Sequence, residues 1–217
     1  LNAVPNSGMA GDVVGIPVRP GVGDDPDGAK AGRGYKMWDL DPNTKTVLVT
    51  GGSQGAVNIN RALAGAVERI TGAGFQVLHA YGRKNDAPAT MDGYTAVPYI
   101  DDMEAAYAVA DLVVCRSGAM TVAENSAAGL PAIYIPLPHG NGEQGLNSAH
   151  LVATGAAVRI DDASLTPDVL AEEVLGILGS PDRYQEMRSA LETSGAGNVA
   201  EELARRITKA AARSAHQ

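Results

Sequence analysis

Aromatic side chains are scarce in this chain of 217 residues, which has a single Phe and a single Trp. Its core must therefore be filled by Ala, Val, Leu and Ile. Cysteine occurs once, at Cys115. That excludes a disulfide within the chain and fits a reducing compartment. Cys115 ends the apolar run Asp111-Leu112-Val113-Val114-Cys115 and reads as a small buried core residue. No run reaches the ~18 apolar residues of a membrane-spanning helix, and the opening residues do not read as a signal peptide. Basic residues are outnumbered: 17 Lys and Arg against 25 Asp and Glu, a net charge of -8. This argues against a generic nucleic-acid binder, which carries a basic stripe, and gives no support for electrostatic docking on anionic lipid. The first residue is Leu1 rather than Met, so a piece of a longer protein is expected.

What the chain does have is a change of pattern near residue 45. Residues 1–44 are rich in Gly, Pro and Asp. Their one strand-like run is Asp12-Val13-Val14-Gly15-Ile16-Pro17-Val18-Arg19, and Gly21 to Gly34 reads as loop or flexible linker. From Thr46 onward strands alternate with helices. Thr46 to Thr50 reads as a buried strand. Ile59, Leu63, Val67 and Ile70 recur at helical spacing and form one apolar face. Further strands are expected at 75–79, 95–100, 112–115, 131–135 and 157–160; Pro98 marks the second of these as an edge or irregular strand. Helices are expected at 103–110, at 120–128 with Gly129 just past its end, and at 143–154 ending at Gly155. Three helical segments follow, the first opened by Thr166-Pro167 as N-cap and first helical residue. The expected fold is α/β: a Rossmann-like parallel sheet with helices on both faces. Residues 1–44 are expected to be a junction and linker, and 45–217 a ligand-binding domain with C-terminal helices.

In such sheets ligands bind beyond the carboxyl ends of the strands, so three loops matter most. Gly51-Gly52-Ser53-Gln54-Gly55-Ala56 follows a strand and opens a helix. Its glycines let backbone approach a phosphate, and the helix offers free N–H groups. Equally, it could be a tight turn with Ser53 as N-cap. It lacks the Lys of a P-loop and the full dinucleotide fingerprint. In Cys115-Arg116-Ser117-Gly118-Ala119-Met120-Thr121-Val122-Ala123-Glu124, Arg116 could pair with phosphate and Glu124 could accept from ribose hydroxyls. Thr121 and Glu124 also match a capping box. In the third loop, His139 to Asn147, amides suit sugar hydroxyls, whereas Glu143 could simply favour a helix N-terminus. His139 has no metal-spaced partner. No Ser-His-Asp set, zinc pattern or carboxylate pair stands out. The residues suit a phosphorylated, hydroxyl-rich ligand and show no obvious catalytic base.

Taken together, Gly51 to Ala56, Tyr99-Ile100-Asp101-Asp102-Met103, Cys115 to Glu124, Pro138-His139 and Glu143-Gln144 resemble the C-terminal half of the MurG glycosyltransferases. Val14 to Arg19 is similar to that family's interdomain junction. The resemblance covers about residues 11 to 207, and the motifs are specific only as an ordered set. It implies one half of a GT-B fold, an inverting transferase without an active-site metal or cofactor. The family moves GlcNAc from UDP-GlcNAc to undecaprenyl-pyrophosphoryl-MurNAc-pentapeptide (lipid I), as a peripheral enzyme on the cytoplasmic membrane face, for peptidoglycan synthesis. Carried over by similarity, Ser53, Gln54 and Gly55 lie by the diphosphate, with Arg116 near it. Ile100 meets uracil through its backbone. Ala119, Met120, Thr121, Val122, Ala123 and Glu124 wrap the nucleotide, with Glu124 on the ribose. Gln144 holds the sugar, and Arg19 reaches in from the junction. The chain departs from the family where Glu143-Gln144 replaces two adjacent glutamines. The family's N-terminal domain, with the proposed base, the acceptor site and the membrane-contacting patch, has no counterpart here, so transfer is not expected from this chain by itself. Competing readings are a donor subunit of a two-chain transferase, a sugar-nucleotide epimerase, or a non-catalytic nucleotide-binding module.

Overall fold

The computed structural model describes residues 15–52, 56–138, 143–194 and 199–214. Six parallel strands make one sheet: β1 Thr46–Thr50, β2 Gln76–Ala80, β3 Tyr94–Val97, β4 Leu112–Cys115, β5 Ala132–Tyr134 and β6 Ala157–Arg159. Their spatial order is β3-β2-β1-β4-β5-β6. The chain therefore winds outward from β1 in one direction, crosses back, and winds outward from β4 in the other. β3 is an edge strand, and it ends immediately before Pro98, which has no N–H for the ladder.

Successive side chains on a strand point to opposite faces. Here both faces are apolar because both are covered. Val47, Val49, Val77, Val114 and Ile133 pack with Ile59, Leu63, Val67 and Ile70 of α2 (Val57–Gly72) and with Leu170, Val174 and Ile177 of a helix at Pro167–Leu178. Leu48, Leu78, Val113, Cys115 and Tyr134 face the other way, toward helices α1 (Ala29–Trp38), α3 (Met103–Val109), α4 (Ala119–Ala127) and α5 (Glu143–Ala153). Each fully buried aliphatic side chain contributes about 1.5–3 kcal/mol, so the α2 stripe alone is a large fraction of a domain's net stability. The expected helix ends are found: Gly129 and Gly155 take positive φ, 64° and 78°. Thr166 caps the Pro167–Leu178 helix by accepting from the N–H of Val169. Two further helices, Pro181–Thr193 and Val199–Ser214, complete the described chain.

Two expectations fail. Residues 15–19 form no strand, and the rest of that run lies outside the described residues. The supposed linker from Gly21 to Gly34 holds the start of a ten-residue helix, α1. The Asp25 carboxylate accepts from the N–H groups of Lys30 and Ala31, at 3.0 and 2.9 Å, and so starts the helix. Those bonds hold Asp25 below the usual carboxylate range. Trp38, a rare large ring in this chain, is buried at the other end. The helix escapes a propensity reading because Gly32 and Gly34 each disfavour it by about 1 kcal/mol. Gly34 is there for packing. A Cβ at that position would lie 2.6 Å from Val109 Cγ1 and 2.9 Å from the carbonyl oxygen of Ala105, both on α3.

β2 and α2 are joined through a buried histidine. Asn60 Nδ2 donates to the carbonyl of Tyr81, so Asn60 Oδ1 faces His79 Nε2 at 3.1 Å and accepts its proton. His79 Nδ1, left as acceptor, takes the hydroxyl of Tyr94 at 2.6 Å. Burial lowers the His79 pKa from 6.5 to about 4.

Two predictions follow from this packing. Gly34→Ala destabilises the chain by about 1–3 kcal/mol through overpacking, whereas Gly32→Ala, which meets open space, stabilises it by about 0.5–1 kcal/mol; denaturant midpoints check both signs. His79 stays neutral in the folded state while the unfolded chain takes up a proton below about pH 6.5. Its contribution is thus complete above that pH and declines by about 3 kcal/mol as pH falls to 4. Wild type and His79→Leu should therefore converge in stability over that window, and parallel pH profiles would contradict this account.

Candidate functional site

β1 and β4 are neighbours whose following loops lead off in opposite directions, the topological switch point of the sheet. A cleft of about 230 Å³ opens there. Thr50, Gly51 and Gly52 line it from the end of β1. Cys115, Arg116, Gly118, Thr121 and Glu124 line it from the end of β4. Tyr99, Ile100, Met103 and Tyr107 close it from the β3–α3 side, and Gln144 from α5.

Helix α4 begins at this cleft, with its N-cap Gly118 in the lining, and α2 starts at Val57, after the loop that follows Gly52. Neither has a side-chain hydrogen bond at its N-cap, Ala56 or Gly118, and neither carries an acidic residue in its first turn. Among the described residues their first N–H groups thus have no side-chain partner, and the helix dipole adds a partial positive charge. Gly52 takes φ 78°, a conformation that favours glycine. Ser53, Gln54 and Gly55 lie outside the described residues, as does His139.

Glu124 is the carboxylate of the cleft. It is not a cap: α4 starts at Ala119, so Thr121 is already inside the helix and the capping-box reading falls. Its side chain is 13% exposed. Oε2 accepts from the hydroxyl of Tyr107 at 3.0 Å, and Arg19 Nη2 stands 3.5 Å from Oε1. Arg19 itself is well exposed. Burial first, and then the charge of Glu124, push the Tyr107 phenol far above its usual range.

Arg116 reaches the cleft wall, but its charge is already matched. Nη1 pairs with Asp162 and donates to the carbonyls of Ile135 and Pro136 at 3.1 and 3.3 Å. The guanidinium thereby ties the ends of β4 and β5 to the turn after β6. Ser117, fully buried, donates to the carbonyl of Gln144 at 2.7 Å, and Asn147 donates back to the Ser117 carbonyl at 2.9 Å. These bonds seat the start of α5. Gln144 Oε1 accepts from the N–H of Leu137 at 3.1 Å, which leaves the two N–H bonds of its amide without a partner among the described residues.

Of the other expected residues, Ile100 is buried against the cleft. Val122 turns inward to the core, Met120 is exposed, and Ala119 and Ala123 are half-buried. Cys115 borders the cleft, yet burial raises its pKa to about 12, so it stays a thiol and not a nucleophile at neutral pH. Among the described residues no group of three His, Cys, Asp or Glu could hold a metal ion. Tyr107 was missed by sequence reasoning. Its signal was its place four residues after Met103, on the same face of α3. Tyr99 gained no residue role either; the Arg83 guanidinium lies 4.4 Å over its ring.

Comparison with known proteins gives one consistent answer. Residues 46–203 match the glycosyltransferase family 28 C-terminal domain. The UDP-N-acetylglucosamine--N-acetylmuramyl-(pentapeptide) pyrophosphoryl-undecaprenol N-acetylglucosamine transferase of Corynebacterium efficiens is 55% identical over 211 residues, 97% of this chain and 59% of that protein. The protein of the same name from Mycolicibacterium paratuberculosis is 46% identical over 97% of this chain and 52% of its own length. The chain thus spans rather more than half the length of the curated relatives it matches. The crystal structure of Acinetobacter baumannii MurG superposes with a TM-score of 0.70 at 26% identity, over 95% of this chain and 59% of that one. The glycosyltransferase of kitacinnamycin shares the fold, with a TM-score of 0.62 at 23% identity. The chain belongs to glycosyltransferase family 28, carrying its C-terminal domain as one Rossmann-like half of a GT-B fold.

Proposed function

We propose that this chain is the donor-binding half of a transferase that moves GlcNAc from UDP-GlcNAc to lipid I in peptidoglycan synthesis. The observation that carries it is the pairing, in one cleft, of a held carboxylate with the N-terminus of α4, free of a side-chain cap, beside the glycines that follow β1 and lead toward α2. A uridine diphosphate needs both: an acceptor for the ribose hydroxyls and dispersed positive charge for the diphosphate. Glu124 supplies the first. The N-termini of α2 and α4, with Ser53, Gln54 and Gly55 between β1 and α2, supply the second. Ile100 offers its backbone to uracil. The amide of Gln144, with its oxygen engaged by Leu137, turns its donors to the GlcNAc hydroxyls.

In the transfer the acceptor hydroxyl oxygen attacks the anomeric carbon, the bond to the β-phosphate breaks with inversion, and UDP leaves with the electron pair. What this chain contributes is position and stabilisation of the leaving charge. With Arg116 matched by Asp162, the leaving diphosphate relies on backbone N–H groups more than on a free guanidinium. The hydroxyl proton goes to a base outside this cleft. That base, the lipid I site and the contact with the cytoplasmic face of the membrane belong to the part of the relatives' length that this chain does not span.

By calorimetry the 217-residue chain should bind UDP, and Glu124→Ala should weaken binding about 10- to 100-fold, the loss of charge-assisted hydrogen bonds; a folded chain that binds no UDP would overturn the proposal. Gln144→Ala should weaken UDP-GlcNAc by about 5-fold and leave UDP unchanged. An equal loss for both ligands would remove Gln144 from the sugar site.

A further inference from the structure

Among the described residues the hydroxyl of Tyr107 has one hydrogen-bond partner, Glu124, and the two residues sit on different helices. Tyr107 is 5% exposed, and a buried hydroxyl needs an acceptor. Its helix is held from two sides. Asp102 caps α3 by accepting from the N–H of Ala105. α1 packs along it through Gly34, with Arg33 paired to Asp102 at 3.1 Å and Lys30 paired to Glu104 at 3.0 Å. Tyr107 is therefore a fixed post, while Glu124 is a side chain whose free rotation costs about 1–2 kcal/mol to arrest. Its other partner, Arg19, is 63% exposed and 3.5 Å away, a weak restraint in water.

An ionised carboxylate has about four acceptor positions. Tyr107 occupies one on Oε2 and Arg19 addresses one on Oε1, so each oxygen keeps a position to offer. A vicinal diol presents two hydroxyl protons at matching separation. We infer that Tyr107 is a positioning residue for nucleotide binding: by donating to Oε2 it holds the Glu124 carboxylate in the orientation that accepts both ribose hydroxyls. This rests on the donor-site reading above. The phenol keeps its proton at any working pH, because burial and the adjacent carboxylate both oppose ionisation, so it remains a donor to Glu124. The ring also forms part of the wall between the cleft and a second cavity of about 390 Å³, and Tyr107→Phe keeps that wall while removing the hydroxyl.

The test is calorimetry of UDP and 2′,3′-dideoxy-UDP with the wild-type chain, Tyr107→Phe, Glu124→Ala and the double variant. Wild type should prefer UDP by at least about 10-fold. Tyr107→Phe should weaken UDP by about 5- to 10-fold, leave 2′,3′-dideoxy-UDP unchanged, and have no further effect in the Glu124→Ala background. A purely structural role would weaken both nucleotides alike or persist in that background, and either result overturns the inference, as does an unchanged UDP affinity. If wild type itself fails to distinguish the two nucleotides, the placement of ribose on Glu124 falls first and takes this inference with it. Should Tyr107→Phe not fold, NMR of ζ-13C-tyrosine in the wild-type chain decides: the Tyr107 resonance should shift with UDP and not with 2′,3′-dideoxy-UDP, and equal shifts would overturn the assignment.

Discussion

The pairing of β1 with β4 is the contact on which the rest of the molecule depends. Val47 to Thr50 run beside Leu112 to Cys115, although 61 residues intervene between the two strands. That long crossover reverses the winding of the sheet. Two consequences follow at once. The strands are buried on both faces, so every side chain of β1 up to Val49 is apolar or, like Thr46, fully enclosed. The loops after β1 and β4 also separate, because they lead to helices on opposite faces, and the gap between them is the cleft. Fold and site are thus one constraint seen from two ends of the same strands.

A second line of support runs from the edge of the domain inward. α1 packs on α3 because Gly34 allows two backbones to approach; α3 presents Tyr107; Tyr107 holds Glu124. The segment that reads as a linker is therefore mechanically joined to the carboxylate of the cleft. Arg116 plays the same part on the other side. Paired with Asp162 and bonded to the carbonyls after β5, it ties the ends of β4 and β5 to the turn after β6. In both cases a polar side chain near the cleft is spent on orienting another group. That economy suits the proposed function, since fixed dipoles stabilise a developing charge without having to reorganise.

Family membership and site geometry agree without being the same statement. The match over residues 46–203 identifies the domain. The geometry supplies groups that suit the proposed nucleotide site: a helix end free of a side-chain cap, one carboxylate and one oriented amide. It also redistributes roles within the motif from Cys115 to Glu124. Val122 belongs to the core and Cys115 is an inert thiol, while Glu124 and Thr121 face the cleft.

The sequence by itself determined the α/β class, the strand and helix order from Thr46 onward and the three loops worth examining. Each of these rests on local periodicity: apolar runs for doubly buried strands, the Ile59-Leu63-Val67-Ile70 stripe for α2, glycines for helix ends. Even the ordered motifs that resemble the family are local strings. Only the tertiary structure decided what depended on distant neighbours. Helix α1 exists because α3 and the buried Trp38 outweigh the low propensity of its glycines. Glu124 lines the cleft and is not a cap because α4 begins at Ala119. Arg116 is matched by a residue 46 positions away, and Tyr107 meets Glu124 only because α3 and α4 flank the same strand ends. Burial and charge pairing are set by packing across the fold, and no reading of spacing along the chain contains them.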